Sequence, residues 1–281
     1  MRRCKPLLGT FVEITINDPY SLHQLESASR AVDAAFAAIA LIQHLMGFHQ
    51  EDSELSHINQ TAHLHPINLH PWTAQVLVAA QEVHQHSNGA FNCGIGHRLV
   101  AAGLLPQHPG VRAHQFGGIE DLRFLEPNRV FSTRPVCLDL GGIAKGFAVD
   151  QAVQVLKNNG IKSGMVNAGG DLKVFGKHSQ VIYLRDPRQP NHLTEIGELK
   201  EGAIATSSLY FAKRDHYRPS FIINPFASPT NNPYIEFSES YSVVAPDCLY
   251  ADALTKVLIL SAGKTPSCFS HFSAQAIALS T

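Results

Sequence analysis

The chain has 281 residues, of which 44% are hydrophobic and 16% are charged, and its formal net charge is −1. This is the composition of an ordinary globular protein with one large domain or two small ones. The charges are scattered, which argues against an electrostatic nucleic-acid or membrane-surface partner, and no run of about 18 apolar residues could span a bilayer.

The cysteines and the first residues bear on the compartment. The five cysteines form no C-x-x-C pair, which argues against a disulfide framework and a structural zinc site and favours a reducing compartment. The opening MRRCKPLLGTFVEITI has two arginines before Cys4 but lacks the apolar segment of a signal peptide or lipoprotein leader. We therefore expect a cytoplasmic protein, unless a leader precedes this sequence.

The first third of the chain predicts a strand and two long helices. Leu7 to Ile16 alternates as a strand does, with Gly9 and Thr10 at its start. Tyr20 to Met46 has the apolar spacing of an amphipathic helix, and His70 to Asn88 predicts another, with Pro71 in its first turn. The polar segment between them, Ser53 to Asn59, could open a short helix.

The middle of the chain predicts a strand at Arg129 to Ser132 and then a strand–glycine turn–helix–strand unit over Val136 to Lys173. An apolar run leads through Asp139 to Gly141 and Gly142, and Gly160 ends the helix that follows. A second strand, Ser163 to Ala168, then breaks at Gly169-Gly170-Asp171.

The glycine turn before that helix has two interpretations. It is either a packing turn or a phosphate site in which free N–H groups at the helix start bind the anion. Its spacing is neither the dinucleotide fingerprint nor the P-loop, so the residues alone leave both alternatives open.

The last third predicts more strands and a final helix. Val174 to Leu184, Ile196 to Glu201 and Tyr241 to Ala245 are strand candidates. Between them, the hydroxyls of Thr206 and Ser207 could bind a phosphate or a nucleobase edge, or simply form a turn.

The final helix begins near Leu249, with Asp247 as its cap. Asp252 in its first turn and Lys256 one turn later are either a surface ion pair or part of a functional site.

Six ordered blocks between Leu8 and Lys256 resemble one family. DLGGIAKGFAVD followed by VNAGGDLKVFG resembles the core signature of the FAD:protein FMN transferases, the ApbE family. The other blocks, similar to further motifs of that family, are LGT, SELSHIN, GAFNCG, GAIATSSLY with FIINP, and ADALTK.

The resemblance implies an α+β fold, with a T-fold-like core of mostly antiparallel sheet and packed helices, as a single domain over residues 1–281. It implies transfer of the FMN half of FAD to a Ser or Thr hydroxyl of an acceptor protein, with release of AMP. The implied partners are therefore FAD and an acceptor protein, with no nucleic acid and no membrane segment.

The resemblance also assigns site residues by position. Asp252 and Lys256 take the catalytic positions, and the main-chain carbonyl of Gly142 and the Asp252 carboxylate take those of Mg²⁺ ligands. We expect Asp252 to be buried near the turn after Asp139. The remaining positions contact FAD: Leu8, Gly89, Ala90, Phe91, Asp139, Lys145 and Ile222.

The chain departs from the family motifs at several positions. Asn92 and Asn224 replace aspartates, Phe221 replaces a histidine, and His216 lies too far upstream to substitute for it. Lys256 replaces the second side chain that helps hold Mg²⁺, and an ammonium repels that ion instead of ligating it.

Two hypotheses follow from these departures. Either the protein is a transferase whose Lys256 partly or wholly replaces the metal, or it is an FAD- or FMN-binding relative that has lost transfer. A purely structural paralogue with an empty pocket is least favoured, because buried charges such as Asp139 and Lys145 are costly without a ligand.

Overall fold

The computed structural model describes residues 1–17, 22–108, 111, 115–187, 189, 191–208, 222–227, 235, 237 and 239–279. The helices in these residues are α1 (Leu22–Met46), α2 (Glu54–Thr61), α3 (Pro71–His86), α4 (Gly96–Ala101), α5 (Ala144–Asn158) and α6 (Cys248–Leu260). The strands are β1 (Arg2–Leu7), β2 (Thr10–Ile16), β3 (Ile67–Asn68), β4 (Leu122–Glu126), β5 (Arg129–Ser132), β6 (Gly164–Ala168), β7 (Asp171–Phe175), β8 (Gln180–Arg185), β9 (Leu193–Leu199), β10 (Gly202–Ser207), β11 (Ser240–Ala245) and β12 (Gln275–Leu279).

The chain divides into two compact units. The first unit comprises Met1–Leu41, Lys145–Arg218 and Phe237–Thr281, and the second comprises Ile42–Ala144 and Pro219–Glu236. The predicted fold class, helices packed with a mostly antiparallel sheet, is confirmed. The assignment of residues 1–281 to a single domain stays a prediction.

The first unit is built on a seven-stranded sheet in the order β1-β2-β6-β7-β10-β11-β12. Every neighbouring pair in it is antiparallel. Successive side chains of a strand point to opposite faces. On one face Ile204 of β10 packs against Ile182 and Leu184 of the β8–β9 hairpin. On the other face Ala205 and its neighbours pack against α6.

Small side chains let α6 approach the sheet closely. Ala205 of β10 and Ala245 of β11 form a buried cluster with Ala251 of α6, and all three are at most 3% exposed. Because alanine carries only a methyl group, the helix backbone lies near the strands. Residues of α6 next to Ala251 are therefore held against the end of β10.

The second unit contains the three-stranded sheet β3-β5-β4, together with α2, α3 and α4. The short helix that the sequence allowed at Ser53 is present as α2, capped by the Ser53 side chain, and it runs on past Asn59 to Thr61. His70 caps α3, which has Pro71 at its first position. The amide of Gln81 in α3 donates to the carbonyls of Ile119 and Leu122 at 3.0 Å each, joining this helix to the strand region.

The predicted strand over Leu7 to Ile16 is wrong in its first residues. The chain turns at Leu8 and Gly9, whose φ angles are +56° and +69°, and β1 pairs with β2 as a hairpin. β1 escaped prediction because it is an edge strand, where charged residues and Pro6 are tolerated without an apolar pattern.

Two further strand predictions are corrected. Residues 136–140 are not a strand: Leu138 exchanges two hydrogen bonds, of 2.7 and 3.0 Å, with the side chain of Asn59 instead of with a neighbouring strand. Val174 to Leu184 is two strands, because Gly176, with φ +86°, turns the chain between β7 and β8.

The predicted helices are confirmed in outline as α1, α3, α5 and α6. The predicted start of the first at Tyr20 lies outside the described residues, and Asp252 lies one residue beyond the first turn of α6. No helix among the described residues combines the length and the apolar character needed to cross a membrane.

Candidate functional site

Four charged side chains interact in the first unit, and we call them the lysine–carboxylate cluster. Lys145 lies in the first turn of α5, Asp171 opens β7, and Asp252 and Lys256 are one turn apart in α6. The Lys145 ammonium pairs with the Asp171 carboxylate, and the Lys256 ammonium pairs with that of Asp252. Asp252 also interacts with Lys145, so the two ion pairs form one group.

The lysines of the cluster are more exposed than its carboxylates. The side chains of Asp171 and Asp252 are only 3% and 1% exposed, whereas those of Lys145 and Lys256 are 34% and 20% exposed. The carboxylates therefore lie beneath the two lysines, which reach solvent. Such an arrangement presents two fixed cations to an anionic ligand.

Asp252 is buried, as predicted, and both of its carboxylate oxygens are engaged. Oδ1 accepts from the Lys256 ammonium, and Oδ2 accepts from the Gly146 N–H at 3.1 Å. Lys256 Nζ also donates to the main-chain oxygen of Asp252 at 2.9 Å, and that oxygen accepts from the Thr255 hydroxyl at 2.8 Å. The aspartate thus orients Lys256 and joins α6 to the start of α5.

The pKa values of the cluster follow from burial and charge. Burial opposes the ionised form of Asp252, but Lys145 and Lys256 outweigh it and hold its pKa below the usual range. Burial would lower the pKa of Lys145, yet Asp171 and Asp252 raise it. Burial, together with the negative charge of Asp252, raises the pKa of Asp171 despite Lys145. Both Lys145 and Asp252 are therefore charged at neutral pH.

Hydroxyl groups line the same end of the sheet. Thr206 Oγ1 bonds Ser242 Oγ, and Ser207 Oγ bonds Thr255 Oγ1, each at 2.8 Å. The Thr206 N–H donates to Asp171 Oδ1 at 3.4 Å. These residues end strand β10, so the interpretation of Thr206 and Ser207 as turn residues is wrong.

The sheet register brings the Leu8 turn to this end as well. The Leu8–Gly9 turn joins β1 to β2, and β2 pairs with β6, whose last residue faces Asp171 across the Gly169–Gly170 turn. A Cβ on Gly169 would lie 2.5 Å from Thr10 Oγ1, so the two turns are in close contact. Leu8, Lys145, Asp171 and Asp252 therefore occupy one end of the first unit.

The second unit holds the other predicted FAD-contacting residues. Gly89, with φ +83°, follows α3, and Phe91 after it is 4% exposed. The Phe91 N–H donates to Ser87 Oγ at 3.0 Å, and its carbonyl accepts from His84 Nδ1 at 2.9 Å. These bonds fix the Gly89-Ala90-Phe91 segment in a defined conformation.

Asp139 and Gly142 lie in a loop held by residues 93–96. The Asp139 N–H donates to the Cys93 carbonyl at 2.8 Å, and the Gly96 N–H to the Cys137 carbonyl at 2.9 Å. The Asp139 carboxylate accepts from the Gly141 N–H at 3.2 Å. The loop is therefore built to hold a carboxylate just before the glycine pair.

The segment at Ile222 is attached to the same part of the second unit. Arg98 of α4 donates to the carbonyls of Asn224 and Ala227 at 3.2 and 3.1 Å. Asn224 Oδ1 accepts from the Phe226 N–H at 2.9 Å, and the Phe226 ring packs over Gly89. Asn224 therefore forms a local turn, while Phe221 and His216 lie outside the described residues.

Sequence reasoning missed several residues of these sites. Asp150 and Lys173 support the start of α6, and Thr255 and Ser242 bond the hydroxyls of β10. Only the strand alternation around Lys173 offered any signal. The bonds that place the other three in these sites, to Cys248, Thr206 and Ser207, join residues at least 36 positions apart along the chain, which no local pattern reveals.

Comparison with known proteins decides the family. The ApbE family profile matches residues 8–271 of this chain. The chain belongs to the ApbE family. A relative from Vibrio cholerae, a FAD:protein FMN transferase, is 29% identical over 236 residues that cover 76% of this chain and 68% of the relative. One of the same name from Treponema pallidum is 24% identical over 284 residues, which cover 90% and 76%.

Solved structures of ApbE proteins have the same fold. The ApbE protein of Thermotoga maritima superimposes with a TM-score of 0.80 at 26% identity, covering 99% of this chain and 93% of that one. The flavin transferase ApbE of Vibrio cholerae gives a TM-score of 0.77 at 24% identity, with coverage of 99% and 92%. The resemblance of the sequence to this family is thus confirmed.

Proposed function

We propose that this protein transfers the FMN moiety of FAD to a Ser or Thr hydroxyl of an acceptor protein and releases AMP. Membership of a family whose relatives are FAD:protein FMN transferases supports a transferase. The observation in the molecule that carries the proposal is the lysine–carboxylate cluster. Its two partly exposed lysines supply the charge that the diphosphate of FAD requires.

The reaction breaks a phosphoanhydride bond of FAD and forms a phosphoester bond to the acceptor. The acceptor hydroxyl oxygen attacks the phosphorus of the FMN half, and the bond from that phosphorus to the bridging oxygen breaks. AMP leaves with the bridging oxygen, and the hydroxyl proton passes to water. Phosphoryl transfer of this kind depends on positioning and charge stabilisation. Lys145 and Lys256 stabilise the charge, and Asp252 holds Lys256 in place.

The other predicted residues would bind the nucleotide. Leu8 and the Gly89-Ala90-Phe91 segment sit at turns with positive φ angles, where backbone groups are accessible to a ligand. Asp139 and Ile222 belong to segments held by residues 93–98. We assign all of these residues to FAD contacts.

The residues at Asp252 do not fit a Mg²⁺ ion. Mg²⁺ requires oxygen ligands, but the Lys256 ammonium is bound to the oxygens of Asp252 that the ion would use. A protonated amine repels the ion, so Lys256 cannot serve as the further ligand that the family has at this position beside Asp252. We propose that Lys256 supplies the positive charge in place of a metal.

Mutation of Lys256 tests whether its ammonium group takes the place of a metal ion. We expect the wild-type protein to bind FAD equally with EDTA and with Mg²⁺, as measured by flavin fluorescence. Lys256→Thr restores a hydroxyl beside Asp252, so it should bind FAD about tenfold more weakly in EDTA and regain affinity with Mg²⁺. The exposed Lys264→Thr is the matched control. Loss of FAD from the wild type on EDTA treatment would contradict the proposal.

Transfer itself is tested with purified protein, FAD and a library of peptides that contain Ser or Thr. AMP is measured by chromatography, and covalent flavin by the mass shift of the peptides. We expect AMP release that depends on peptide and fails in Lys145→Met. Tight FAD binding without AMP, with or without Mg²⁺, would favour the alternative of a flavin-binding relative that has lost transfer.

We also propose that the protein works in a reducing compartment, such as the cytoplasm. The five cysteines all lie in the described part of the chain and form no disulfide, and all but Cys4 are buried. Fractionation of cells with an antibody to the chain tests this proposal, and recovery in a secreted or periplasmic fraction would refute it.

A further inference from the structure

The start of α6 lacks a cap from its own N-cap residue. Asp247 stands at the N-cap position with extended backbone angles, but its side chain caps no helix N–H group. Its carboxylate instead accepts from Lys173 Nζ at 2.7 Å. Asp247 is therefore the N-cap residue, as predicted, but its side chain does not cap the helix, and the first N–H groups of α6 need another acceptor.

Asp150, which belongs to α5, supplies that acceptor. Its Oδ1 accepts from the Cys248 N–H at 3.0 Å and its Oδ2 from the Leu249 N–H at 2.9 Å. Lys173 Nζ donates to Oδ1 at 2.8 Å. One helix thus caps another through a carboxylate, which is also the charge that a helix N-terminus favours. We call Asp150, Lys173 and Asp247 the helix clasp.

The two helices also touch directly beside the clasp. A Cβ on Gly146 would lie 2.2 Å from the Cys248 carbonyl oxygen, so only glycine permits this approach. The Gly146 N–H donates to Asp252 at 3.1 Å. The first two turns of α5 and of α6 are therefore joined both at Asp150 and at Gly146.

The clasp connects the two halves of the lysine–carboxylate cluster. Lys145 immediately precedes Gly146 in α5, whereas Asp252 and Lys256 belong to α6. A relative shift of the two helices would change the spacing of the two ammonium groups. Both ammonium groups can hold one diphosphate only at a fixed spacing.

We propose that Asp150 is a positioning residue, which holds α5 against α6 so that Lys145 and Lys256 act together on one diphosphate. This inference rests on the proposed function. Asp150 acts through the helices and touches no ligand. Its largely buried side chain, 13% exposed, bonds the backbone of α6 and Lys173.

A double-mutant cycle tests the role. Asp150→Asn keeps the shape but leaves one N–H of α6 facing an amide NH₂, so kcat should fall between about tenfold and a hundredfold. If Asp150 acts through Lys256, the same change should have little further effect in a Lys256→Ala background. Asp33→Asn, at an exposed ion pair with Arg3, is the matched control and should leave kcat unchanged.

Two further measurements separate positioning from stability. Asp150→Glu keeps both acceptor oxygens but moves them by one methylene, so it should recover more of the unfolding free energy than of kcat. Losses of kcat that parallel stability and stay additive with Lys256→Ala would overturn the proposal. The same cycle on the Kd for FAD tests Asp150 even if no AMP is released, so failure of the transferase proposal remains distinguishable.

Discussion

The first unit holds two ionic groups of similar composition that differ in where their lysines point. In the helix clasp, Lys173 is 14% exposed and lies between the carboxylates of Asp150 and Asp247. In the lysine–carboxylate cluster, Lys145 is 34% exposed, and its partner Asp171 is buried beneath it. The clasp has its charge satisfied within the protein, and the cluster offers its charge to solvent.

This difference separates support from binding. The Asp150 carboxylate accepts from two helix N–H groups and one ammonium, so most of its capacity to accept hydrogen bonds is used within the protein. The Lys145 ammonium still has donors that can turn toward solvent. A buried ion pair alone therefore does not indicate a binding site. A pair indicates one when one of its charged groups is exposed to solvent.

Mutation of one lysine in each group to methionine should produce the largest effects and should distinguish the two groups. Lys145→Met should lower the rate of AMP release about a hundredfold or more, as the loss of a charge-stabilising donor does. Lys173→Met should instead lower the unfolding free energy by about 3 kcal/mol, because Asp150 loses its buried partner. Its effect on kcat should stay below about tenfold, since the helix N–H bonds to Asp150 remain.

AMP release and urea unfolding measure the two effects on the same preparations. The assignment of the clasp to support and of the cluster to binding would be refuted if Lys173→Met abolished AMP release in a fully folded protein, or if Lys145→Met left release intact. Lys264→Met, at an exposed position outside both groups, controls for the loss of one positive charge.

The dependence of the unfolding free energy on alkaline pH tests Lys145 and Lys173 together. The pKa of Lys145 and that of Lys173 are both raised above the ordinary 10.5, because neighbouring carboxylates outweigh burial. Their stabilisation is therefore complete below pH 10.5 and is lost as pH rises through the folded-state pKa. We expect the unfolding free energy to fall in that range, and to fall less steeply in either methionine variant.

Addition of FAD to the same experiment should affect Lys145 but not Lys173. A bound diphosphate raises the pKa of Lys145 further, so the loss of stability should begin at higher pH when FAD is present. That shift should persist in Lys173→Met and shrink in Lys145→Met. An equal shrinkage in both variants would mean that FAD affects the clasp as strongly as the cluster.

The sequence predicted the half of the site that local spacing determines. Asp252 and Lys256 are four residues apart in one helix, and an i,i+4 pair is visible in any helical pattern. Lys145 at the start of α5 was assigned from its position in the family motif that contains the glycine pair. The family motifs then supplied the roles, which spacing alone left open.

The residues and elements that the sequence did not predict depend on tertiary contacts. Asp150 caps α6 through Cys248, which lies 98 residues further along the chain. A sequence pattern favours Asp247 instead, because aspartate commonly caps helices and Asp247 directly precedes this one. The β1–β2 hairpin was missed because an edge strand needs no apolar alternation. Residues 136–140 were predicted as a strand because most of them are apolar, although the side chain of Asn59, and not a neighbouring strand, bonds the backbone of Leu138.

The smallest expected effect compares two glycines of the first unit that are needed for different reasons. Gly146→Ala should lower the unfolding free energy by about 1–3 kcal/mol, since its methyl group would overlap the Cys248 carbonyl oxygen. Gly160→Ala meets no atom within 4 Å but must keep φ near +82°, which costs about 1 kcal/mol. Urea titration measures both differences.

Activity tells the two glycines apart more clearly than stability does. Gly146→Ala pushes α5 away from α6 and should also lower kcat, because the spacing of Lys145 and Lys256 changes with it. Gly160→Ala strains only the turn after α5 and should leave kcat at the wild-type value. If both variants lost activity in proportion to stability, the contact between α5 and α6 would have no special role, and the clasp would be only a structural support.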